Sequence, residues 1–188
     1  STQDKLLQIE PKKLASTLIT GILRLGSTSL QIFPPVPNQI FTRDTSVTIH
    51  DNIFVTKPSM KARYRERLIA CYIAKFYLIP YDNANRKIID LEATGTKGYP
   101  SPDERLTIEG GDIMMISNKH LLVGLSHRTN LEAIECLINH TFKNNQLDRV
   151  SVIKIPDKRD YMHIDTVFTQ VKKDMWVLFG PFSKMGYE

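Results

Sequence analysis

Apolar and polar positions follow one arrangement three times along this chain, in 41-FTRDTSVTIHDNIFVT-56, 109-EGGDIMMISNKHLLVGLS-126 and 163-HIDTVFTQVKKDMWVLFG-180. Each stretch opens with polar groups ending in an Asp (Asp44, Asp112, Asp165), then runs apolar, turns through a polar pair and runs apolar again. The turn pairs are Asp51-Asn52, Asn118-Lys119 and Lys173-Asp174. Short apolar runs broken by such pairs predict β-hairpins. Hairpins that recur with helices between them predict modules stacked around an axis. Equivalent strand ends then converge, which would bring Asp44, Glu109, His163 and Asp165 to one place.

The intervening segments are read as follows. Residues 11–25 predict a helix, with Pro11 at its first position and Leu14, Leu18, Ile22 and Leu25 at helical spacing. The proline-rich 33–38 segment predicts an extended connector. A helix over about 60–78 has Leu68, Ile69, Tyr72, Ile73 and Phe76 as its expected buried face. Its first turn carries Lys61, Arg63, Arg65 and Arg67, which oppose the helix dipole. That basic turn is either a solvated face or an anion site. Residues 88–93 predict a short strand, Thr129 to Glu132 a capping box opening a helix, and 150–156 a buried strand. The expected organisation is an N-terminal helix and connector over 1–37, a module over 38–104, a second over 105–158 and a partial one over 159–188.

With 188 residues, 41% hydrophobic and 24% charged, the chain can bury a sizeable core as a soluble domain. No apolar run reaches the ~20 residues of a membrane span, and the start lacks the charged-then-apolar order of a signal peptide. Two cysteines do not make a disulfide scaffold. These features together predict a cytoplasmic protein. The net charge of +5 is scattered, without an aromatic-interleaved basic stripe. Neither nucleic acid nor membrane is therefore an expected partner.

Four groups could carry chemistry. Asp44 is placed at the start of a strand. Glu109-Gly110-Gly111-Asp112 puts two glycines inside a strand pattern, a sign of a bulge or close backbone approach that could aim a carboxylate into a cleft. His163 and Asp165, two residues apart, would share one face of a strand. They fit a metal pair, general acid–base work with Asp165 binding substrate, or a structural histidine. No HxxxH or CxxC spacing supports zinc. Cys71 and Cys136 lie mid-helix beside apolar positions and read as structural thiols.

The segments NQIFTRD (Asn38 to Asp44), ARYRER around Arg63, EGGDI (Glu109 to Ile113), GLSHRT (Gly124 to Thr129) and MHIDTVFT (Met162 to Thr169) stand in the order and at about the spacings found in one family. On them the chain resembles the arginine deiminases of the guanidine-modifying (pentein) superfamily. The resemblance implies an α/β propeller of ββαβ modules, about two and a half of them present here, and hydrolysis of L-arginine to L-citrulline and ammonia. It implies that Asp44 and Asp165 grip the guanidinium, which carboxylates can bind bidentately. Glu109 and His163 would move protons, and Asn38, Arg63 and Arg128 would hold the substrate's carboxylate. Asp112 would support the backbone at the Gly-Gly turn. No metal or organic cofactor is implied. The family's nucleophile is a cysteine in a glycine-rich loop, which neither Cys71 nor Cys136 matches. At Arg67 the family usually has a small hydroxyl residue. The chain thus reads as an incomplete deiminase, inactive alone and prone to self-association or to pairing with missing modules. An amidinotransferase and a non-catalytic guanidine-binding module are the alternatives.

Overall fold

The computed structural model of the chain describes residues 2–81, 86–91 and 106–184. Its contacts divide it into two units, residues 1–40 and 41–188.

In the first unit, helix α1 (Thr2–Leu7) is followed by α2 (Pro11–Thr20). Glu10 caps α2, accepting hydrogen bonds from the Lys12 and Lys13 N–H groups. The helix predicted over 11–25 ends five residues early. Gly21 takes the left-handed conformation (φ 76°) and donates its N–H to the Thr17 carbonyl at 2.8 Å, closing the helix. The chain then pairs Ile22–Leu25 (β1) with Thr28–Gln31 (β2) as an antiparallel hairpin. Asn38 lies beyond β2 in this unit and is exposed.

The second unit holds the three predicted hairpins. The first pairs β3 (Ser46–Ile49) with β4 (Asn52–Val55), after a single helical turn, α3 (Thr42–Thr45). A 3-10 turn (Lys61–Arg63) leads into α4 (Tyr64–Ile73), a π-helical turn (Ala74–Leu78) and α5 (Ile79–Tyr81). Strand β5 (Lys87–Asp90) then lies parallel to β4. The rest of the strand predicted over 88–93 lies mostly outside the described residues. The second hairpin, β6 (Ile113–Ser117) with β7 (His120–Leu125), follows a 3-10 turn at Gly110–Asp112. Helix α6 (Leu131–Lys143) and β8 (Arg149–Lys154), parallel to β7, complete it. The third, β9 (Phe168–Lys172) with β10 (Met175–Leu178), follows a 3-10 turn at Ile164–Thr166 and precedes α7 (Gly180–Lys184). Two ββαβ units and a further hairpin are thus present among the described residues.

The Asp of every repeat sits on a helical turn before its hairpin, where the pattern predicted strand. Local hydroxyls favour the turn. Thr45 donates Oγ1 to the Thr42 carbonyl at 3.1 Å, and Thr166 donates to the His163 carbonyl at 2.6 Å. Such bonds offer the backbone an alternative to a sheet ladder.

The β6–β7 hairpin is buried on both faces, which accounts for its unbroken apolar runs. Ile113, Leu121 and Val123 pack with Ile49, Phe54, Ile134 and Leu137. Met114 and Leu122, alternating with them, pack with Ile164 and Val167 and with partly buried Phe168 and Trp176.

Three further expectations are corrected. Tyr72 and Phe76, placed in the buried face of α4, are each 63% exposed, and Leu68 and Ile73 are exposed too. The helix instead buries Arg63, Glu66, Arg67 and Ala74. Arg67 donates Nε to the Thr56 carbonyl at 3.0 Å and pairs with Asp90, so buried polar bonds seat this end of the helix. The cap of α6 is Asn130, whose side chain accepts the Ala133 N–H at 3.2 Å. Thr129 is buried and accepts the Glu109 N–H at 3.1 Å. Strand β8 exposes Val152 and Ile153, because it lies at the edge of its sheet.

The two glycines mark a close approach, as expected. A Cβ on Gly110 would stand 1.9 Å from the Arg43 carbonyl oxygen, and one on Gly111 2.5 Å from His163 Nδ1. Gly110→Ala must push backbone against backbone and is expected to cost about 2 kcal/mol or more. Gly180→Ala, where a Cβ meets nothing within 4 Å, should stay within ~0.5 kcal/mol of the parent. Urea denaturation of both variants measures the difference.

Candidate active site

Three turns deliver the polar groups. Asp44 comes from α3, Glu109 from the extended residue before the Gly-Gly turn, and His163 from the extended residue before the third turn. Glu109 lies where it does because Lys57 and Ile108 form an antiparallel bridge, Lys57 N–H to the Ile108 carbonyl at 3.0 Å and the reverse at 2.8 Å. His163 is set by Asp112, whose Oδ1 accepts the Ile164 N–H at 2.8 Å while Oδ2 accepts the Ser126 hydroxyl at 2.6 Å. Asp112 was expected to support the backbone at the Gly-Gly turn; its side chain instead ties the second hairpin to the third. Burial pushes the Asp112 carboxyl above its ordinary range, against hydrogen bonds from Ser126 and Thr129.

His163 and Glu109 are buried and share a hydrogen bond of 2.8 Å between Nε2 and Oε2. Asp44 Oδ1 stands 3.7 Å from His163 Nδ1. Donor atoms of Asp44, Glu109 and His163 lie within 4.8 Å of one another, close enough to converge on one cation. Arg63 already brings positive charge there: Nη1 is 2.9 Å from Asp44 Oδ2 and 3.4 Å from Glu109 Oε2, and Nε is 2.8 Å from Glu66 Oε2. Arg63 Nη2 is buried without a hydrogen-bond partner. Three carboxylates therefore face one guanidinium and one imidazole.

Asp165 lies beside this cluster, partly exposed, 3.0 Å from Arg43 Nε. Burial holds its carboxyl above the ordinary range, opposed by Arg43 and His163 and reinforced by the charge of Asp44. Arg128 reaches the cluster through Ser59: its Nη1 donates to Ser59 Oγ at 3.1 Å. Ser59 in turn donates both its N–H (3.0 Å) and its hydroxyl (3.2 Å) to Glu109 Oε1. The i, i+2 strand pair expected of His163 and Asp165 is not formed, because the chain turns between them.

Ser59 and Glu66 escaped the sequence reading. Glu66 was findable, since it lies three residues beyond Arg63, the spacing of a helical ion pair. Ser59 carries no motif. Its role depends on the Lys57–Ile108 bridge, a contact between segments far apart in sequence.

Charge placement sets the protonation states. Burial opposes the Glu109 charge, yet the His163 and Ser59 hydrogen bonds and the charges of His163 and Arg63 outweigh it, holding the carboxyl below its ordinary range. Burial likewise opposes the imidazolium, but the Glu109 hydrogen bond and the charges of Asp112, Glu109 and Asp44 raise the His163 pKa. Burial also works against the Arg63 charge, and the bonds to Glu66 and Asp44 overcome it.

The signs give a stability window. A raised His163 pKa contributes stability that is present at low pH and lost as pH climbs through the folded-state value. A lowered Glu109 pKa contributes stability that is lost as pH falls through its folded-state value. The pair therefore stabilises the fold fully between the ordinary glutamate and imidazole pKa values, and progressively less on either side of that window. An NMR titration of the His163 ring should give a midpoint above that of an exposed imidazole. Glu109→Gln, which keeps shape and removes charge, should move that midpoint down. An unmoved midpoint would show that Glu109 does not hold the proton on His163.

Comparison with known proteins bears on the whole second unit. The profile of the family described as arginine deiminase matches residues 11–186. An arginine deiminase of Borrelia garinii subsp. bavariensis is 36% identical over 156 residues, covering 82% of this chain and 35% of that protein. One from Limosilactobacillus fermentum is 31% identical over 189 residues, covering 93% of this chain and 44% of that protein. The chain thus spans less than half the length of these curated relatives. Among solved structures, DDAH from Pseudomonas aeruginosa, complexed with citrulline, superposes with a TM-score of 0.58 at 22% identity over 80% of this chain and 51% of that one. An amidinotransferase from Microseira wollei gives 0.57 at 15% identity over 90% and 57%. Those two structures share the fold of this chain, the pentein fold of small α/β modules, as the resemblance implied. By the match along almost its whole length, the chain belongs to the arginine deiminase family.

Proposed function

We propose that this chain forms the guanidinium-gripping and proton-handling side of an arginine deiminase site, acting in hydrolysis of L-arginine to L-citrulline and ammonia. One observation carries the reading: both acids expected to grip a substrate guanidinium already hold a guanidinium of this chain, Asp44 that of Arg63 and Asp165 that of Arg43. Both acids thus have guanidinium N–H groups within reach of their oxygens, which supports the reading that they can accept those of a ligand. Family membership supports the same substrate class.

The roles follow. Asp44 and Asp165 accept the guanidinium N–H groups, with Arg43 giving way at the exposed side of Asp165. Arg63 and Arg128 meet the α-carboxylate, and the unpartnered Nη2 of Arg63 supports that assignment. His163, whose protonated form the Glu109 hydrogen bond favours, gives its proton to departing ammonia and then takes one from the hydrolytic water. The addition step needs an activated thiolate. Burial and Glu135 push the Cys136 thiol up, the reverse of activation. Cys71 lies in α4. The nucleophile is accordingly assigned to a segment other than these 188 residues.

Calorimetry with the purified chain tests the grip. L-Arginine should bind, and Asp165→Asn should weaken it about ten- to a hundred-fold, the worth of a charge-assisted hydrogen bond. Arg63→Ala and Arg128→Ala should weaken L-arginine far more than agmatine, which lacks the carboxylate. Equal losses for the two ligands would reassign both arginines. No citrulline should accumulate from the chain alone. Turnover abolished by Cys71→Ser or Cys136→Ser would place the nucleophile here and overturn that part of the reading.

A further inference from the structure

We infer that Ser59 is a positioning residue that couples Arg128 to Glu109, so that occupation of the carboxylate-binding side of the site is felt at the proton-handling side. The identity of the ligand rests on the function proposed above, whereas the coupling rests on geometry alone.

Ser59 stands between two charged groups that do not touch each other through any bond described above. The Lys57–Ile108 bridge holds its segment beside the strand that ends in Glu109. Its hydroxyl donates to Glu109 Oε1 at 3.2 Å and accepts from Arg128 Nη1 at 3.1 Å. A hydroxyl has one donor and two acceptor sites, so it can make both bonds at once. Each bond has an ionised partner, which strengthens it, and bonds in series polarise one another. The Ser59 N–H donates to the same Oε1 at 3.0 Å. Oε1 is therefore committed to Ser59, and Oε2 is left to His163 at 2.8 Å and Arg63 at 3.4 Å. This division of labour between the two oxygens holds the carboxylate plane in place.

A carboxylate arriving at Arg128 is a stronger acceptor than a hydroxyl and would draw the guanidinium away from Ser59. Ser59 would then serve Glu109 alone, and the nearby positive charge would be neutralised. Both changes alter the field at His163. A guanidine without a carboxylate would leave the relay as it is. Ser59 thus lets the proton-handling pair distinguish an amino-acid guanidine from a plain one, in addition to any difference in affinity.

The test follows the His163 ring by NMR in the 188-residue chain, comparing the parent, Ser59→Ala and Ser59→Thr. Without ligand, Ser59→Ala removes a donor from Glu109 and the anchor of Arg128, while the backbone N–H keeps the carboxylate in place. The His163 midpoint should therefore rise by about half a unit, and Ser59→Thr, which keeps the hydroxyl, should restore it. An unchanged midpoint in Ser59→Ala, or a rise that Ser59→Thr also shows, overturns the proposal, the second because it would report packing rather than the hydroxyl. With saturating ligand, L-arginine should displace the parent His163 resonance beyond what agmatine does, and the two should act alike in Ser59→Ala. A ligand difference that survives in Ser59→Ala also overturns it. If neither ligand binds, the substrate assignment falls, and the ligand-free comparison still decides the role of Ser59.

Discussion

Glu109 is fully buried and charged, and the rest of the site is arranged to make that possible. Taking a carboxylate out of water costs several kcal/mol unless its oxygens are engaged and its charge is met. Here Ser59 occupies one oxygen, and His163 and Arg63 share the other. Meeting that charge commits further groups. Arg63 must itself be neutralised, by Asp44 and Glu66, and His163 must be aimed, by the tie from Asp112 to the Ile164 N–H. Removing any one partner leaves an uncompensated charge in a dry interior, so the cluster acts as a unit. It also joins all three hairpin modules, since Glu109 and Asp112 come from the second, Asp44 and Arg63 from the first and His163 from the third.

The modules use one device for different ends. Each hairpin is entered through a helical turn bearing an Asp, but the three carboxylates meet different neighbours. Asp44 turns inward to Arg63. Asp112, wholly buried, holds backbone and a hydroxyl. Asp165, nearest to solvent of the three, pairs with Arg43. Repetition of backbone geometry brings the turns together, and local partners then decide whether the acid is structural or is available to a ligand.

Helix α4 shows how far such demands override pattern. Its apolar side chains would ordinarily face the core. The charges of Arg63, Glu66 and Arg67 are instead turned inward, where each has a partner, and the apolar residues are left outside. An exposed apolar face marks a surface that another element can cover. The basic opening turn, unfavourable to the helix dipole, is thereby explained for Arg63 and Arg67: they serve the site and β4–β5 rather than the helix.

By itself the sequence determined the hairpins, their order with the helices, and the residues that would meet. Hairpins are written in local alternation and turn pairs, and the paired glycines announced a close approach that the Arg43 carbonyl makes at Gly110. Asp44, Glu109 and His163 were legible because each repeat carries its polar groups at the same edge. Tertiary structure alone decided the side of α4 that is buried, the helical turns under the three aspartates, the exposure of β8 and the place of Ser59. Periodicity reports which positions are apolar along one element, not what the facing element offers. Where the facing element offered carboxylates and carbonyls, the charged side of the helix went in. Where it offered only water, as at the β8 edge, apolar residues stayed out. Ser59 depended on a bridge between residues about fifty positions apart, a relation that no local pattern can contain.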